Sequence, residues 1–337
     1  MSLSSSPLVA RLTRPGMSTF LLRRVIQAAI VMFLVVSANF LVLQLAPGDL
    51  VDVLAGKAEM TAEQMAEMRA RYGLDQPALI QYVNYLWQLA QLDLGWSARN
   101  NLPVLDVLLQ RVPITLSLMV ASSILSVLIG TLMGVAAAKH AGKWPDSLVS
   151  GVALLLYATP AFIVSILLIL IFGVWLNWLP ISGLKTIGSR ATGLAHLWDL
   201  VVHMILPVMA ICAFYIAIYV RMARSSLLEV LNHDFVRTAR AKGLSPRKVL
   251  YRHALRNALL PIVTMAGLQV STLMGGAVLV ESVFNLPGIG RTAFDSVANR
   301  DMPLLMGVTF LSSFAVVAVN LVVDLIYVAL DPRVDLK

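Results

Sequence analysis

The chain is a series of long apolar stretches separated by shorter polar segments, and six of the stretches are long enough to cross a membrane. A helix needs about 20 apolar residues to cross roughly 30 Å of hydrocarbon. The six predicted spans cover residues 25–46, 113–138, 147–178, 201–220, 257–280 and 303–330. We therefore predict an all-α integral membrane protein with six transmembrane helices.

Two of these spans carry residues that predict how they pack. The third contains Pro160 and is too long for one straight crossing, so we expect a kinked helix or a helix followed by a re-entrant turn. The second contains Gly130 and Gly134, a GxxxG pair that lets a neighbouring helix approach closely.

Lysine and arginine are distributed unequally between alternate polar segments. Segments 1–24, 139–146, 221–256 and 331–337 hold 17 of the 26 basic residues, and the segments between them hold 9. The positive-inside rule therefore predicts that the first set, including both termini, is cytoplasmic. The predicted layout is a cytoplasmic N-terminal segment, a first span, an extracytoplasmic helical loop, a domain of five further spans and a cytoplasmic tail, at residues 1–24, 25–46, 47–112, 113–330 and 331–337.

The long loop at residues 47–112 has helical patterns of its own. Thr61 begins a capping-box-like pattern, which predicts a surface helix ending near Gly73. Residues 81–92 form a second amphipathic pattern with Tyr82, Tyr85 and Trp87. Aromatic residues in such a position mark a seat at the membrane interface more often than a ligand site.

Composition supports a membrane protein and argues against a soluble or a nucleic-acid-binding protein. Hydrophobic residues make up 58% of the 337 positions and charged residues only 13%, whereas soluble domains carry about 25% charged residues. The net charge of +8 does not require nucleic acid, because the basic residues fall in the gaps between spans. Cys212 is the single cysteine, so it has no intrachain disulfide and is expected to be a small buried hydrophobe.

The segment Arg221–Pro261 is the strongest candidate for a functional element. It contains nine basic residues, opposed only by Glu229 and Asp234, between two apolar spans. The pattern predicts a short helix over 234–243, ended by Gly243 in the left-handed C′ position. Ser245-Pro246 then predicts an N-cap and a first helical position of a second helix. We expect two short helices held outside the bilayer as a docking element.

Sequence signatures of catalysis are missing. There is no GxxxxGK[ST] phosphate loop, HExxH or CxxC, and Gly288-Ile-Gly290 lacks the third glycine of a dinucleotide loop. The five histidines are scattered without metal-ligand spacing. We expect no catalytic residues, no metal site and no cofactor in this chain, so the energy for any driven transport comes from a partner or an ion gradient.

The docking segment resembles the cytoplasmic EAA loop of ABC-importer permeases. Arg237-Thr-Ala-Arg-Ala-Lys-Gly243 and His253-Ala-Leu-Arg-Asn-Ala-Leu-Leu-Pro261 are similar to the dipeptide, oligopeptide and nickel branch, first (B-type) subunit. Arg237 to Ala239 replace the E-A-A of the wider family, and Arg256 stands at its proline. Further matching motifs lie along most of the chain, at 46–49, 72–75, 203–207, 221–229, 281–290, 320–324 and 331–333.

The resemblance implies a type I ABC-importer permease fold in a bacterial inner membrane, with a coupling helix near residues 231–242. It implies a second homologous permease, two ATP-binding subunits that hold ATP and Mg²⁺, and an extracytoplasmic solute-binding protein. Transport would proceed by alternating access. The residues implied in ATPase coupling are Asp234, Arg237, Thr238, Ala239, Arg240, Ala241, Lys242 and Gly243. Ala239 and Gly243 are expected to offer a closely packable surface to the partner's cleft.

Other polar residues allow both a functional and a structural interpretation. Some lie near the expected outer gate, where they contact a binding protein or form an ordinary polar turn: Glu281, Pro287, Gly288 and Asp295. Others line a pore or make interhelical hydrogen bonds: Gln269, Ser271 and Thr272 on the fifth span, and Ser122, Ser123 and Ser126 on the second. Asp324, one turn after Asn320, is either functional or part of a structural bond.

Alternatives to the importer remain open at this point. A basic helix can simply lie on anionic lipid. The whole chain could be an ion-coupled secondary transporter, or a membrane scaffold that recruits a soluble partner through its basic loop. Within the importer family, peptides, nickel chelates, glutathione and sugars are all compatible substrates. The ending Asp331-Pro-Arg333 and the long 47–112 loop favour short peptides.

Overall fold

A computed structural model describes residues 17–45, 51, 60–71, 73–97 and 99–330. The motifs at 46–49 and 331–333, and the side chains of Ser271 and Thr272, lie outside the described residues.

Helices make up nearly all of the regular structure. The first part of the chain contains α1 (Met17–Leu45), α2 (Ala62–Arg71), α3 (Ala78–Ala90) and the antiparallel strands β1 (Trp96–Ser97) and β2 (Leu102–Pro103). The middle contains α4 (Val104–Lys139), α5 (Trp144–Ala158), α6 (Ala161–Leu168) and α7 (Leu194–Leu231). The last part contains α8 (Asp234–Ala241), α9 (Pro246–Lys248), α10 (Leu255–Val283), α11 (Ile289–Ala298) and α12 (Met302–Leu330). Two π-helical turns, Ile169–Trp175 and Val249–Ala254, extend α6 and precede α10.

Within the described residues, four helices are long and apolar enough to cross a membrane. These candidate spans are Leu22–Leu45, Val104–Lys139, Leu194–Leu231 and Met302–Leu325. The third predicted span is a pair, Trp144–Ala158 and Ala161–Trp175, bent by 106°. Thr159 and Pro160 lie at the break, so the expected bend is confirmed. The fifth predicted span lies in α10, where residues 270–276 are outside the described side chains, and the count of six remains a prediction.

The chain divides into two compact units. The first unit comprises Met1–Val112 and Thr292–Lys337. In it α12 packs against α1, and buried Asp301 caps α12 by accepting a hydrogen bond from the Leu304 amide. The same carboxylate accepts a 2.6 Å bond from the Ser97 hydroxyl, which ties the β1–β2 hairpin to the start of α12.

The extracytoplasmic loop predicted from sequence forms two helices of this first unit. The capping box is confirmed, because the Gln64 amide donates to Thr61 Oγ1 while the Thr61 amide donates to Gln64 Oε1. On α3, Tyr82 bonds Ser37 of α1 at 2.6 Å and packs against Phe40. Trp87 remains 67% exposed, as an interfacial aromatic residue would be.

In the second unit, Pro113–Arg291, α7 packs against α5, α6 and α10, and α4 approaches it closely at two glycines. A Cβ added at Gly134 would lie 2.5 Å from the Val220 carbonyl oxygen, and one at Gly130 would lie 2.5 Å from Tyr219 Cβ. Only glycine allows this approach, so the predicted role of the pair is confirmed. Cys212 is buried in the core of this unit, also as predicted.

Candidate functional site

The predicted docking helix forms immediately after α7 and ends as the sequence indicates. Helix α8 covers Asp234–Ala241, and Gly243 has a φ of +76°. The Gly243 amide donates to the Arg240 carbonyl at 2.9 Å and the Leu244 amide to the Ala239 carbonyl at 3.4 Å. This pair of bonds is a Schellman motif, whose C′ residue must adopt the left-handed conformation. The predictions of a short helix and a glycine stop are confirmed.

The second predicted helix of the docking segment also forms. Ser245 adopts an extended N-cap conformation and Pro246 occupies the first helical turn. The Ser245 hydroxyl makes no capping hydrogen bond, so Pro246 supplies the signal that starts the helix. Because α9 is followed by a π-helical turn and then α10, the docking segment connects directly to the next membrane helix.

One face of α8 is embedded in its own unit. Val236 is fully buried and Ala239 is 6% exposed. They share a hydrophobic cluster with residues from α4, α7, the π-helical turn before α10 and α10 itself: Val135, Ala138, Leu227, Val249, Ala254 and Ala258. The expectation that Ala239 faces a partner is therefore wrong. Its small side chain is needed because α8 packs directly against α4, α7 and α10 at this position.

The opposite face of α8 is exposed and carries the charged residues. Asp234 and Arg237 have side chains 96% and 73% exposed, and their 3.5 Å ion pair is a surface contact of small energetic value. The other exposed residues of the predicted coupling set are Thr238, Arg240, Ala241, Lys242 and Gly243. Phe235 is also 40% exposed beside them. This residue was not predicted from the sequence, although a lone aromatic residue in a polar helix is a usable signal.

An ion pair that was not predicted from the sequence joins α7 to α5 one helical turn from Leu227, which packs in the cluster beneath α8. The Asp146 side chain is 7% exposed and the Arg224 side chain 34% exposed. Arg224 of α7 holds Asp146 of α5 through two bonds, Nε to Oδ1 at 2.6 Å and Nη2 to Oδ2 at 2.8 Å. Asp146 also accepts a 3.0 Å bond from the Gly142 amide. This bidentate geometry is the strong form of an arginine–carboxylate pair.

The cationic character continues beyond α8. No acidic residue occurs between Asp234 and Glu281 in the sequence. The exposed basic residues of the following segment surround a shallow pocket lined by Ser245, Arg247, Lys248, Tyr251 and Arg252. The surface around α8 therefore favours an acidic partner, which adds specificity and association rate more than affinity.

Three of the four predicted gate residues lie together, inside the second unit. Glu281 is fully buried, accepts a 2.6 Å hydrogen bond from the Thr115 hydroxyl and accepts a 2.9 Å bond from the Arg291 amide. Pro287 and Gly288 form the turn around this carboxylate, and a Cβ at Gly288 would overlap it. The structure thus gives Glu281 the role of a polar turn residue, with no surface for a binding protein. Asp295 belongs to α11 and the first unit, where it is half-buried.

The predicted pore candidates are dispersed. Gln269 is half-buried on α10, and Asn320 is exposed on α12. Asp324 makes a 3.0 Å ion pair with Arg24 of α1, which is a structural bond between helices. On α4, Ser122 and Ser126 are fully buried, so they do not line an open path in this structure. The described residues contain no cluster of side chains that could hold a metal ion.

Two family models match most of the chain. Residues 126–336 match the family described as binding-protein-dependent transport system inner membrane component, and residues 17–119 match its N-terminal counterpart. The "Probable peptide ABC transporter permease protein y4tP" of Sinorhizobium fredii is 40% identical over 94% of this chain and 99% of the relative. The "Dipeptide transport system permease protein DppB" of Escherichia coli is 39% identical over 89% of this chain and 93% of the relative.

A solved structure supports the same fold. The MetNI methionine ABC transporter in an inward-facing conformation aligns with a TM-score of 0.53 and 18% identity, covering 65% of this chain and 94% of that one. The family match and the two relatives favour an importer component over an ion-coupled transporter or a scaffold. The chain belongs to the binding-protein-dependent transport system inner membrane component family and is a multi-pass permease subunit of an ABC importer with the type I fold.

Proposed function

We propose that this permease imports short peptides and that the exposed face of α8 is the surface on which an ATP-hydrolysing subunit docks. The chain pairs with a second, homologous permease, and two ATPase subunits bind ATP and Mg²⁺ beneath the pair. An extracytoplasmic binding protein delivers the substrate from the other side. Both termini and α8 lie in the cytoplasm, in line with the 17 basic residues on that side.

The two-sided construction of α8 is the observation that carries this proposal. Its inner face, Val236 and Ala239, is fixed on α4, α7 and the start of α10. Its outer face is exposed, cationic and carries Phe235. A helix on anionic lipid needs an apolar face free for the membrane, whereas the main apolar face of α8 is already occupied. The remaining surface suits a protein cleft with an acidic rim.

This arrangement also supports a transmission mechanism. Helix α7 has 38 residues, or about 57 Å at 1.5 Å per residue, which exceeds the roughly 30 Å of hydrocarbon. It can therefore carry a displacement from α8 into the membrane. Closure of the ATPase subunits on ATP moves α8, and the spans change from inward-facing to outward-facing. A ligand-biased equilibrium between two states is sufficient.

Two relatives support the choice of peptides, since their names specify peptide and dipeptide transport. We assign the remaining predicted site residues to the substrate path, to contacts between helices or to the outer gate. Gln269, Ser271, Thr272 and Asn320 belong to the substrate path or to helix contacts. Pro287, Gly288 and Asp295 contribute to the outer gate.

Copurification from native membranes tests the docking role. Wild-type permease should retain both the second permease and the ATPase. Phe235→Asp places a negative charge on the first turn of the docking helix and should shed the ATPase while keeping the second permease. Phe294→Asp is the matched control, because Phe294 of α11 is 61% exposed and lies in a segment expected on the opposite side of the membrane. Wild-type protein that purifies without any ATPase would refute the proposal.

A further inference from the structure

The Asp146–Arg224 pair lies on a continuous path from α8 into the membrane. Val236 and Ala239 of α8 contact the cluster that contains Leu227 of α7. Arg224 precedes Leu227 by one helical turn and holds Asp146 at the start of α5. Each step is either a packed contact, a rigid helical turn or a bidentate bond, so no flexible segment interrupts the path.

The pair joins three elements at one point. Asp146 is 7% exposed in its side chain, and its two oxygens are bound by Arg224 and by the Gly142 amide of the α4–α5 turn. Gly134 of α4 approaches the backbone of α7 next to the same arginine, since a Cβ there would be 3.1 Å from the Arg224 amide nitrogen. The inner ends of α4, α5 and α7 are thus fixed to one another.

Helix α5 is held to α7 along the rest of its length and ends at a sharp bend. Arg221 lies 5.1 Å from the ring centre of Tyr157, and Tyr157 stacks on Phe214 at 5.1 Å. Ala153 packs with Ala217 and Val220. Beyond Tyr157 the chain bends by 106° into α6. That break is where α5 can turn without bending α6.

We propose that Asp146 and Arg224 are positioning residues that transmit the movement of α8 to α5, with the Thr159–Pro160 break as the joint. This inference rests on the proposed docking function of α8. The pair fixes the angle between α5 and α7, which is what a transmitted displacement requires. The Arg224 side chain is 34% exposed, and an ion pair near the surface adds little to stability by itself, so the fixed bidentate geometry points to a positioning role.

The test compares assembly, ATP hydrolysis and transport in the reconstituted complex with its binding protein. Asp146→Asn leaves Arg224 without its counter-charge, and Arg224→Lys keeps the charge but loses the fork. The double variant Asp146→Asn/Arg224→Gln is neutral and restores abundance where a single variant accumulates poorly. Asp324→Asn is the matched control, because it breaks the Arg24 ion pair in the other unit.

We expect every variant to retain the ATPase, and the double variant to hydrolyse ATP while substrate moved per ATP falls about tenfold or more. Asp324→Asn should keep the wild-type ratio. A double variant that moves as much substrate per ATP as the wild type would overturn the inference, since an uncharged pair at positions 146 and 224 would then transmit the movement equally well. Loss of the ATPase from the double variant would also overturn the inference, because the loss of transport would then come from failed docking rather than failed transmission. Failure of the wild type to bind any ATPase would instead refute the proposed function.

Discussion

The Glu281 carboxylate and the Thr115 hydroxyl, 166 positions apart in sequence, meet at 2.6 Å in the buried interior of the second unit. The Thr115 hydroxyl in turn accepts a 2.8 Å bond from the Ile289 amide, and Glu281 accepts from the Arg291 amide. One carboxylate and one hydroxyl therefore satisfy amides at the start of α11, where helical partners are absent.

Gly288 is expected to be intolerant of any side chain. A Cβ there would overlap the Glu281 carboxylate and displace it from Thr115 and Arg291. Gly288→Ala should destabilise the protein by about 1–3 kcal/mol, the usual cost of overpacking. Thermal unfolding in detergent measures this. An unchanged midpoint would contradict the fixed position of Glu281.

Gly134 and Gly151 form a matched pair of helical glycines with opposite expected effects. A Cβ at Gly134 would contact the Val220 carbonyl and Ala223 Cβ, whereas a Cβ at Gly151 meets nothing within 4 Å. Gly134→Ala should cost about 1–3 kcal/mol by forcing α4 from α7. Gly151→Ala should gain up to about 1 kcal/mol from helix propensity. Equal shifts in the unfolding midpoint would refute the close α4–α7 contact.

Gly243 should tolerate asparagine better than alanine or valine. No atom lies within 4 Å of a Cβ added there, so the φ of +76° is the only obstacle. The left-handed conformation costs most residues about 1–2 kcal/mol, and asparagine adopts it more readily. We expect ATPase retention on copurification to fall from glycine to asparagine to alanine, with valine worst. Full retention by the valine variant would show that the Schellman stop is dispensable.

Ala239 and Ala241 distinguish the two faces of α8. Ala239 is buried in the cluster beneath the helix, and Ala241 is exposed. Ala239→Leu inserts three carbons into a packed site, which typically costs about 1–3 kcal/mol. Ala241→Leu should leave the unfolding midpoint unchanged. Destabilisation by the leucine at 241 rather than 239 would reverse the assignment of the faces.

Local signals in the sequence were sufficient for the ends of the docking helices, the contact glycines and the break in the third span, whereas the helices Val104–Lys139 and Leu194–Leu231 extend beyond the predicted spans 113–138 and 201–220. Gly243 and Ser245-Pro246 define the docking segment because turn and cap chemistry depends on neighbouring residues alone. Gly130 and Gly134 were identified as contact residues because small residues four apart lie on one face of a helix. Pro160 located the break in the third span for the same local reason.

Contacts between residues far apart in the sequence could not be predicted from local patterns. Apolar residues occur at several positions of the eight-residue α8, including Phe235, Val236, Ala239 and Ala241, and only packing decides which of them turn inward. Asp146 and Arg224 are 78 positions apart, so their pairing depends on how α5 lies on α7. A lone carboxylate at the inner end of an apolar stretch was nevertheless a signal, since such a group needs a partner.

Cysteine crosslinking tests the docking role of α8 most directly. The chain has one cysteine, the buried Cys212, which can be replaced by serine to give a background without thiols. Single cysteines at Thr238, on the exposed face, and at Ala239, on the buried face, are then treated with a short crosslinker in the assembled transporter. We expect an adduct with the ATPase from position 238 and none from position 239. An ATPase adduct from neither position, or equal adducts from both, would contradict the docking role.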